Sequence, residues 1–241
     1  MKRSALAASA LSVVVLTGLT GLTACGGGDS ETDADDKPGA KATASKAKEV
    51  SPAERLAKLM VTKAESGYTV KEPSDGDALA ASQEDMDVDK AVCTPLAYAM
   101  NELPIGSPQA TLTHVATSSA AMFTYITLST YEDGEAESAM KDLAKAADSC
   151  GSGYTATSDR GTTRYDSVTV ETAPSGSDES LATAATFKFK GFTQKLRTQT
   201  FRFGDTIVNY FALDSGAFIQ SRPGEAKIPA DLVKAQNAKL S

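Results

Sequence analysis

Apolar positions along this chain follow two rhythms, a three-and-four-residue step and a two-residue alternation, and together they delimit its elements. Ser51, Pro52 and Glu54 match a capping box with proline in the first turn, and Leu56, Leu59 and Met60 then share one face of a helix that Gly67 ends. Residues 68–71 read as a short strand and 72–84 as an irregular acidic loop. A second helix is expected over 88–100, capped by Asp87, with Cys93, Leu96, Ala97 and Met100 on one stripe and Asn101 and Pro104 closing it. Residues 112–116 and 123–131 carry the Thr, Tyr, Phe and Ile that suit a pleated, half-buried surface. After Gly134, Ala136, Ala139, Met140, Leu143, Ala146, Ala147 and Cys150 recur at helical spacing, until Gly151 and Gly153 stop the helix. Strands follow over 154–157, 165–172, 182–190, 196–203 and 206–213, parted by turn signals at 174–176, Lys190-Gly191 and Gly204-Asp205. A last helix over 229–240 would lay Leu232, Val233 and Leu240 back on the sheet. Consecutive strands with short turns favour antiparallel pairing, so the expected class is α+β: a curved, mainly antiparallel sheet with helices packed on one face and one disulfide.

Ahead of Ser51 this periodicity is missing. Lys2 and Arg3 precede a nearly uncharged stretch over 5–19, the layout of a secretory signal. Leu22-Thr23-Ala24-Cys25 then resembles the lipobox of bacterial lipoproteins, which implies cleavage before Cys25 and a diacylglyceryl group on its sulfur; an ordinary secretory peptide is the alternative. The expected organisation is a lipoprotein signal peptide over 1–24, a lipidated flexible tether over 25–50 and a globular domain over 51–241. Gly26-Gly27-Gly28 lacks the strand before it and the Gly-Lys-Ser/Thr after it that a phosphate loop needs, so it is a spacer. The rest of the tether has almost no large apolar residue to offset the entropy of ordering, and as a coil it reaches about 25 to 30 Å. Asp33, Asp35 and Asp36 in it are a solvated charge run.

Charge narrows the partners. The chain has 24 Lys plus Arg against 31 Asp plus Glu, a net charge of -7, which is the wrong sign for nucleic acid. One His, three Cys and no Trp leave no multi-His or Cys-rich metal module, and no cofactor or metal is expected. With Cys25 under lipid, Cys93 and Cys150 form an even pair in an oxidising compartment and read as a disulfide worth about 4 kcal/mol by chain entropy. Two buried thiols or a redox centre are the alternatives.

Val92-Cys93-Thr94-Pro95-Leu96-Ala97, a strand running into Tyr131-Glu132-Asp133-Gly134, a helix closing on Ala146-Ala147-Asp148-Ser149-Cys150 and a final Asp231-Leu232-Val233-Lys234 helix form a recognisable layout. It resembles the extracytoplasmic sensor domain of bacterial receptor-type Ser/Thr kinases and its actinobacterial lipoprotein relatives. The resemblance implies an α+β sensor-like fold with a groove for an unidentified ligand and no catalysis. Kinase members of that family commonly carry a second disulfide and Trp residues, which this chain lacks.

Candidate chemistry is sparse. His114 is the one imidazole, on a strand, with no Gly-x-Ser-x-Gly elbow to serve, and it is expected to titrate near its ordinary value as a surface or edge residue. Asp85, Asp87 and Asp89 alternate as in a calcium loop, but Lys90 and Leu96 stand where the turn glycine and the bidentate glutamate belong. Lys188, Lys190, Lys195, Arg197 and Arg202 alternate with apolar positions and make a basic stripe that Tyr210 and Phe211 would extend, a candidate site for an anionic envelope component.

The expectation is a non-enzymatic ligand-binding or sensing domain held at the outer face of the cell membrane by lipid, with an unidentified envelope ligand or protein partner. A structural partner of a membrane complex and a lipid carrier are the alternatives.

Overall fold

The computed structural model describes residues 50–241 except 75, 77 and 119–121. Residues 1–49 lie outside it, and with them the signal peptide, Cys25, the acidic run and nearly all of the tether.

The elements in chain order are α1 (Pro52–Leu59), α2 (Lys63–Ser66), β1 (Thr69–Lys71), β2 (Asp87–Val88), a 3-10 turn (Ala91–Cys93), α3 (Thr94–Ala99), β3 (Ala110–Thr117), β4 (Met122–Thr130), α4 (Glu135–Ser149), β5 (Tyr154–Ser158), β6 (Gly161–Glu171), β7 (Glu179–Phe189), β8 (Phe192–Phe203), β9 (Thr206–Asp214), α5 (Ser215–Gln220), β10 (Gly224–Glu225) and α6 (Ala230–Asn237). The strands form one sheet in the order β1-β3-β4-β9-β8-β7-β6-β5-β2, antiparallel throughout, with β10 joining β8 in parallel beyond the end of β9.

Helices cover both faces of this sheet, which corrects the expectation of one covered face. Along β4, Tyr125 packs with Cys93, Leu96, Met140 and Leu143 of the α3 and α4 layer, while its neighbour Ile126 packs with Leu56, Leu232 and Val233 of α1 and α6. β9 alternates in the same way, with Ile207 and Phe211 toward α3 and α4 and Val208 and Tyr210 toward α1 and α6. Because β4 is buried on both faces from residue 124 onward, its sequence carries no in-and-out alternation to announce two layers. The α3 and α4 side is called the front below, and the α1 and α6 side the back.

On the front, the disulfide between Cys93 and Cys150 ties the start of α3 to the end of α4, both sulfurs lying in the core. On the back, the capping box of Ser51 and Glu54 forms as expected, but the first helix breaks at Met60 and resumes as α2, which Gly67 ends at φ +76°. The break is held by Gln236 of α6, fully buried, whose Oε1 accepts from the Val61 N–H at 2.8 Å while its Nε2 donates to the Leu59 carbonyl at 2.8 Å. A side-chain amide supplies the donor and acceptor that a continuous helix would have supplied itself.

The second expected helix is also shorter. Asp87 caps no helix; Asp87 and Val88 pair with Thr157 and Ala156 of β5 and close that edge of the sheet, and Asp89 Oδ1 accepts from the Thr155 N–H at 2.9 Å. Helix begins only after Lys90, whose ammonium donates to the Gly153 carbonyl at 2.6 Å.

Candidate functional site

At the front, where α3 ends, the strands β6 to β9 are not covered by α4 and leave a cavity of about 310 Å³. Its floor comes from inward positions of four strands, Tyr165, Phe187, Leu196 and Phe211, and α5 adds Phe218 as a wall. The rings form a continuous run: Tyr154 to Tyr165 at 4.7 Å between centroids, Tyr165 to Phe187 at 6.0 Å, Phe187 to Phe218 at 6.1 Å and Phe218 to Phe189 at 4.9 Å. Tilted and edge-on pairs of this kind are the favoured geometries of aromatic packing and make a stiff apolar lining.

Polar groups gather at one side of the mouth. Asn101 Nδ2 donates to the Ala97 carbonyl at 2.7 Å and to the Tyr165 hydroxyl at 3.3 Å, fixing both residues. Burial pushes the Tyr165 phenol up to about 12, against the opposing effect of the Asn101 donation, so it stays a neutral hydroxyl at any physiological pH. Glu102 follows with φ +64°, a strained conformation for a side-chain-bearing residue, held by its carbonyl accepting from Thr113 Oγ1 and Thr127 Oγ1 at 3.4 and 3.3 Å. Arg160, in the tight turn between β5 and β6, donates from Nη1 to the Ala78 carbonyl at 3.1 Å, and Ser158 Oγ donates to the Leu79 carbonyl. Asn101, Glu102 and Arg160 also line an adjoining, more polar hollow of about 290 Å³, so these polar residues border both. Another hollow, of about 360 Å³ between α3 and α4, is lined by Val92, Pro95, Tyr98 and Ile105 with Asp142 and Lys145 on the α4 side.

The basic stripe is dispersed. Arg197 donates to Glu171 Oε2 and Glu225 Oε1, each at 2.8 Å, and Lys195 lies 3.7 Å from both carboxylates. Hydrogen bonding from Arg197 holds the Glu225 carboxyl below its ordinary range. Arg197 and Glu171 meet across β7 because the residues between them there, Ala182 and Ala184, are too small to intervene. Arg202 is bound to Glu179 at 2.7 Å and Asp178 at 3.5 Å. Tyr210 and Phe211, expected to extend this surface, are buried on opposite faces; the Tyr210 hydroxyl donates to Asn237 Oδ1 at 2.7 Å beneath α6. Among the described residues only Lys188 and Lys190 of the stripe lie beyond ion-pair distance of a carboxylate: Lys188 Nζ donates to Thr193 Oγ1 at 2.6 Å, and the Lys190 ammonium sits 5.3 Å from the centroid of the Phe189 ring.

His114 points to the back, opposite Ile126 in β4, away from the cavity. Burial lowers its pKa, partly offset by Glu72, which corrects the expectation of an ordinary value. Among the described residues no cluster of three His, Cys, Asp or Glu is placed to hold a metal ion, and no helix is long and apolar enough to cross a membrane.

Sequence reasoning missed the aromatic chamber. Its residues come from the loop after β1, the end of α3, the β5–β6 turn, β6, β7, β8, β9 and α5, segments that no local pattern links to one another. The one local signal was Phe187-Lys188-Phe189, whose two aromatic rings share a face.

No protein-family model matches the chain, and no curated protein matches it. Among solved structures it is similar to the extracellular domain of PknH from Mycobacterium tuberculosis, with a TM-score of 0.52 and 14% identity, over 80% of this chain and 95% of that one. The chain therefore shares its fold with that extracellular domain.

Proposed function

We propose that this protein is a non-catalytic, extracytoplasmic ligand-binding domain, anchored to the cell membrane by lipid on Cys25, and that the aromatic chamber beside Asn101 and Arg160 is its binding site. One observation carries the reading: a preformed cavity of about 310 Å³ lined by a run of tilted and edge-on aromatic rings, with a cation at its rim. That combination suits a compact apolar or aromatic ligand bearing a polar or anionic group, with burial supplying affinity and the rim supplying orientation. The remoteness of the single imidazole supports binding without turnover. The shared fold of an extracellular domain and the buried disulfide both fit an oxidising location outside the cytoplasm.

The chamber is tested by titration with 1-anilinonaphthalene-8-sulfonate, an aromatic anion that fits the stated chemistry. Saturable binding at one site, abolished by Phe187→Asp with the fold retained, supports the reading; absence of saturable binding overturns it. The anchor is tested by metabolic palmitate labelling of the wild-type and Cys25→Ser chains. Label on the first and not the second supports acylation, and an unlabelled wild-type chain removes it.

A further inference from the structure

We infer that the tip of the β7–β8 hairpin, together with α5 and the start of β4, is a docking surface for an anionic lipid bilayer. The inference stands on this surface alone, whatever the chamber holds.

The tip is free of main-chain partners. Pairing of β6 with β7 ends at Phe187 and pairing of β10 with β8 ends at Gln194, whereas β7 and β8 stay paired out to Phe189 and Phe192. The hairpin therefore extends two residues beyond those pairings and turns at Lys190 and Gly191, both at positive φ. Large apolar side chains collect around it. Phe192 is 38% exposed, Ile219 on α5 is 80% exposed, and Phe123 at the start of β4 is 37% exposed. Phe192 is the cross-strand partner of Phe189, which packs on Phe218 beside Ile219, and Phe123 is the partner of Leu213 just ahead of α5. Three strand spacings separate β4 from β7, so these side chains span about 15 Å at one end of the sheet.

Charge selects the occupant. The chain as a whole is at -7, yet this end presents Lys188 and Lys190 without a carboxylate within ion-pair distance among the described residues. Two acidic groups on the neighbouring segments are paired, Asp214 with Arg222 at 3.1 Å and Glu225 with Arg197 at 2.8 Å. An exposed turn with Phe and Ile around it, flanked by lysines whose stems can extend toward headgroups, matches the interfacial layer of an anionic bilayer.

The experiment uses the full-length Cys25→Ser chain, in which no acyl group can form at that sulfur and the two remaining cysteines are joined. A single reporter cysteine, Phe192→Cys, Ile219→Cys or Asp205→Cys, carries a nitrobenzoxadiazole fluorophore. Position 205 lies at the other end of β8, about 40 Å away. With vesicles of phosphatidylcholine and phosphatidylglycerol, emission at 192 and 219 should shift to the blue and brighten, with no change at 205; phosphatidylcholine alone should give a weak response. Adding Lys188→Glu and Lys190→Glu should weaken the apparent affinity by roughly 25-fold or more, since each lysine near an anionic surface contributes about 5-fold. A silent reporter at 192 and 219, or an equal response at 205, overturns the inference. So does a response without vesicles that grows with protein concentration, which would make the occupant a second copy of the chain. Anilinonaphthalene sulfonate uptake by the Lys188→Glu/Lys190→Glu protein should be unchanged, so failure of docking and failure of the chamber are read separately.

Discussion

The carbonyl oxygen of Tyr165 occupies the space that a β-carbon on Gly153 would need, and Gly153 sits at φ +80°. Both the conformation and the close approach require glycine here, just where the chain enters β5 beside the bulge at residues 165–167. Gly153→Ala should cost about 2 to 4 kcal/mol in urea unfolding, because strain and displacement of Tyr165 add. Since Tyr165 floors the chamber, ligand affinity should fall as well, and isothermal titration of the purified variant checks this.

Removal of the Gln236 amide leaves the Val61 N–H and the Leu59 carbonyl without their partner. Gln236→Ala should therefore destabilise the domain by about 3 kcal/mol, from two buried main-chain groups plus a small cavity. Urea denaturation measures the loss; an effect below about 0.5 kcal/mol would mean that water replaces the amide fully.

Reduction of the Cys93–Cys150 bond opens a crosslink spanning 57 positions, and the chain-entropy relation gives about 4 kcal/mol for a loop of that length. Neither sulfur should react with iodoacetamide in the native protein. The Cys93→Ala/Cys150→Ala chain should melt well below the wild type by calorimetry. Because α3 leads directly into Met100, Asn101 and Glu102 at the cavity, chamber affinity should drop with it.

Acid should weaken the contact between α2 and the segment after α6. The Glu65 carboxyl is held down to about 2, first by the hydrogen bond from Lys239 at 2.8 Å and then by the Thr62 N–H and hydroxyl. A carboxyl with a depressed folded-state pKa contributes stability above its unfolded value and loses it as pH falls through the folded one. The contribution should be whole above about 4.5 and fade toward about 2. Glu65→Gln should flatten the melting temperature against pH across that window, and an unchanged slope would show that the pair is fully screened.

Truncating Phe218 to alanine removes the α5 wall of the chamber while leaving Asp214 to cap α5 through the Ala217 N–H at 3.0 Å. Anilinonaphthalene sulfonate affinity should fall about tenfold, in line with burial of one aromatic side chain, and far-ultraviolet circular dichroism should stay the same.

How far the sequence could be read differs by element, and the reasons are physical. The helix from Glu135 and the strands from Glu179 to Asp214 have strong periodicity and clear turn residues, and they form close to the expected bounds. The second helix came out short because Val88 follows the needs of an open sheet edge, a long-range demand that local pattern does not encode. The basic stripe failed as one surface for a related reason: Glu171 lies 26 positions from Arg197, and only the register of three strands brings them together. The chamber was invisible because a cavity is the absence of a covering element over residues that otherwise look like core.

Tension drawn along the chain at Val50 would enter the domain through α1. From there the Gln236 clasp passes it to α6 and the back layer, so the pull is borne on the side facing away from the aromatic rings. A pull applied there would thus load the back layer first and leave the aromatic cavity on the front undistorted.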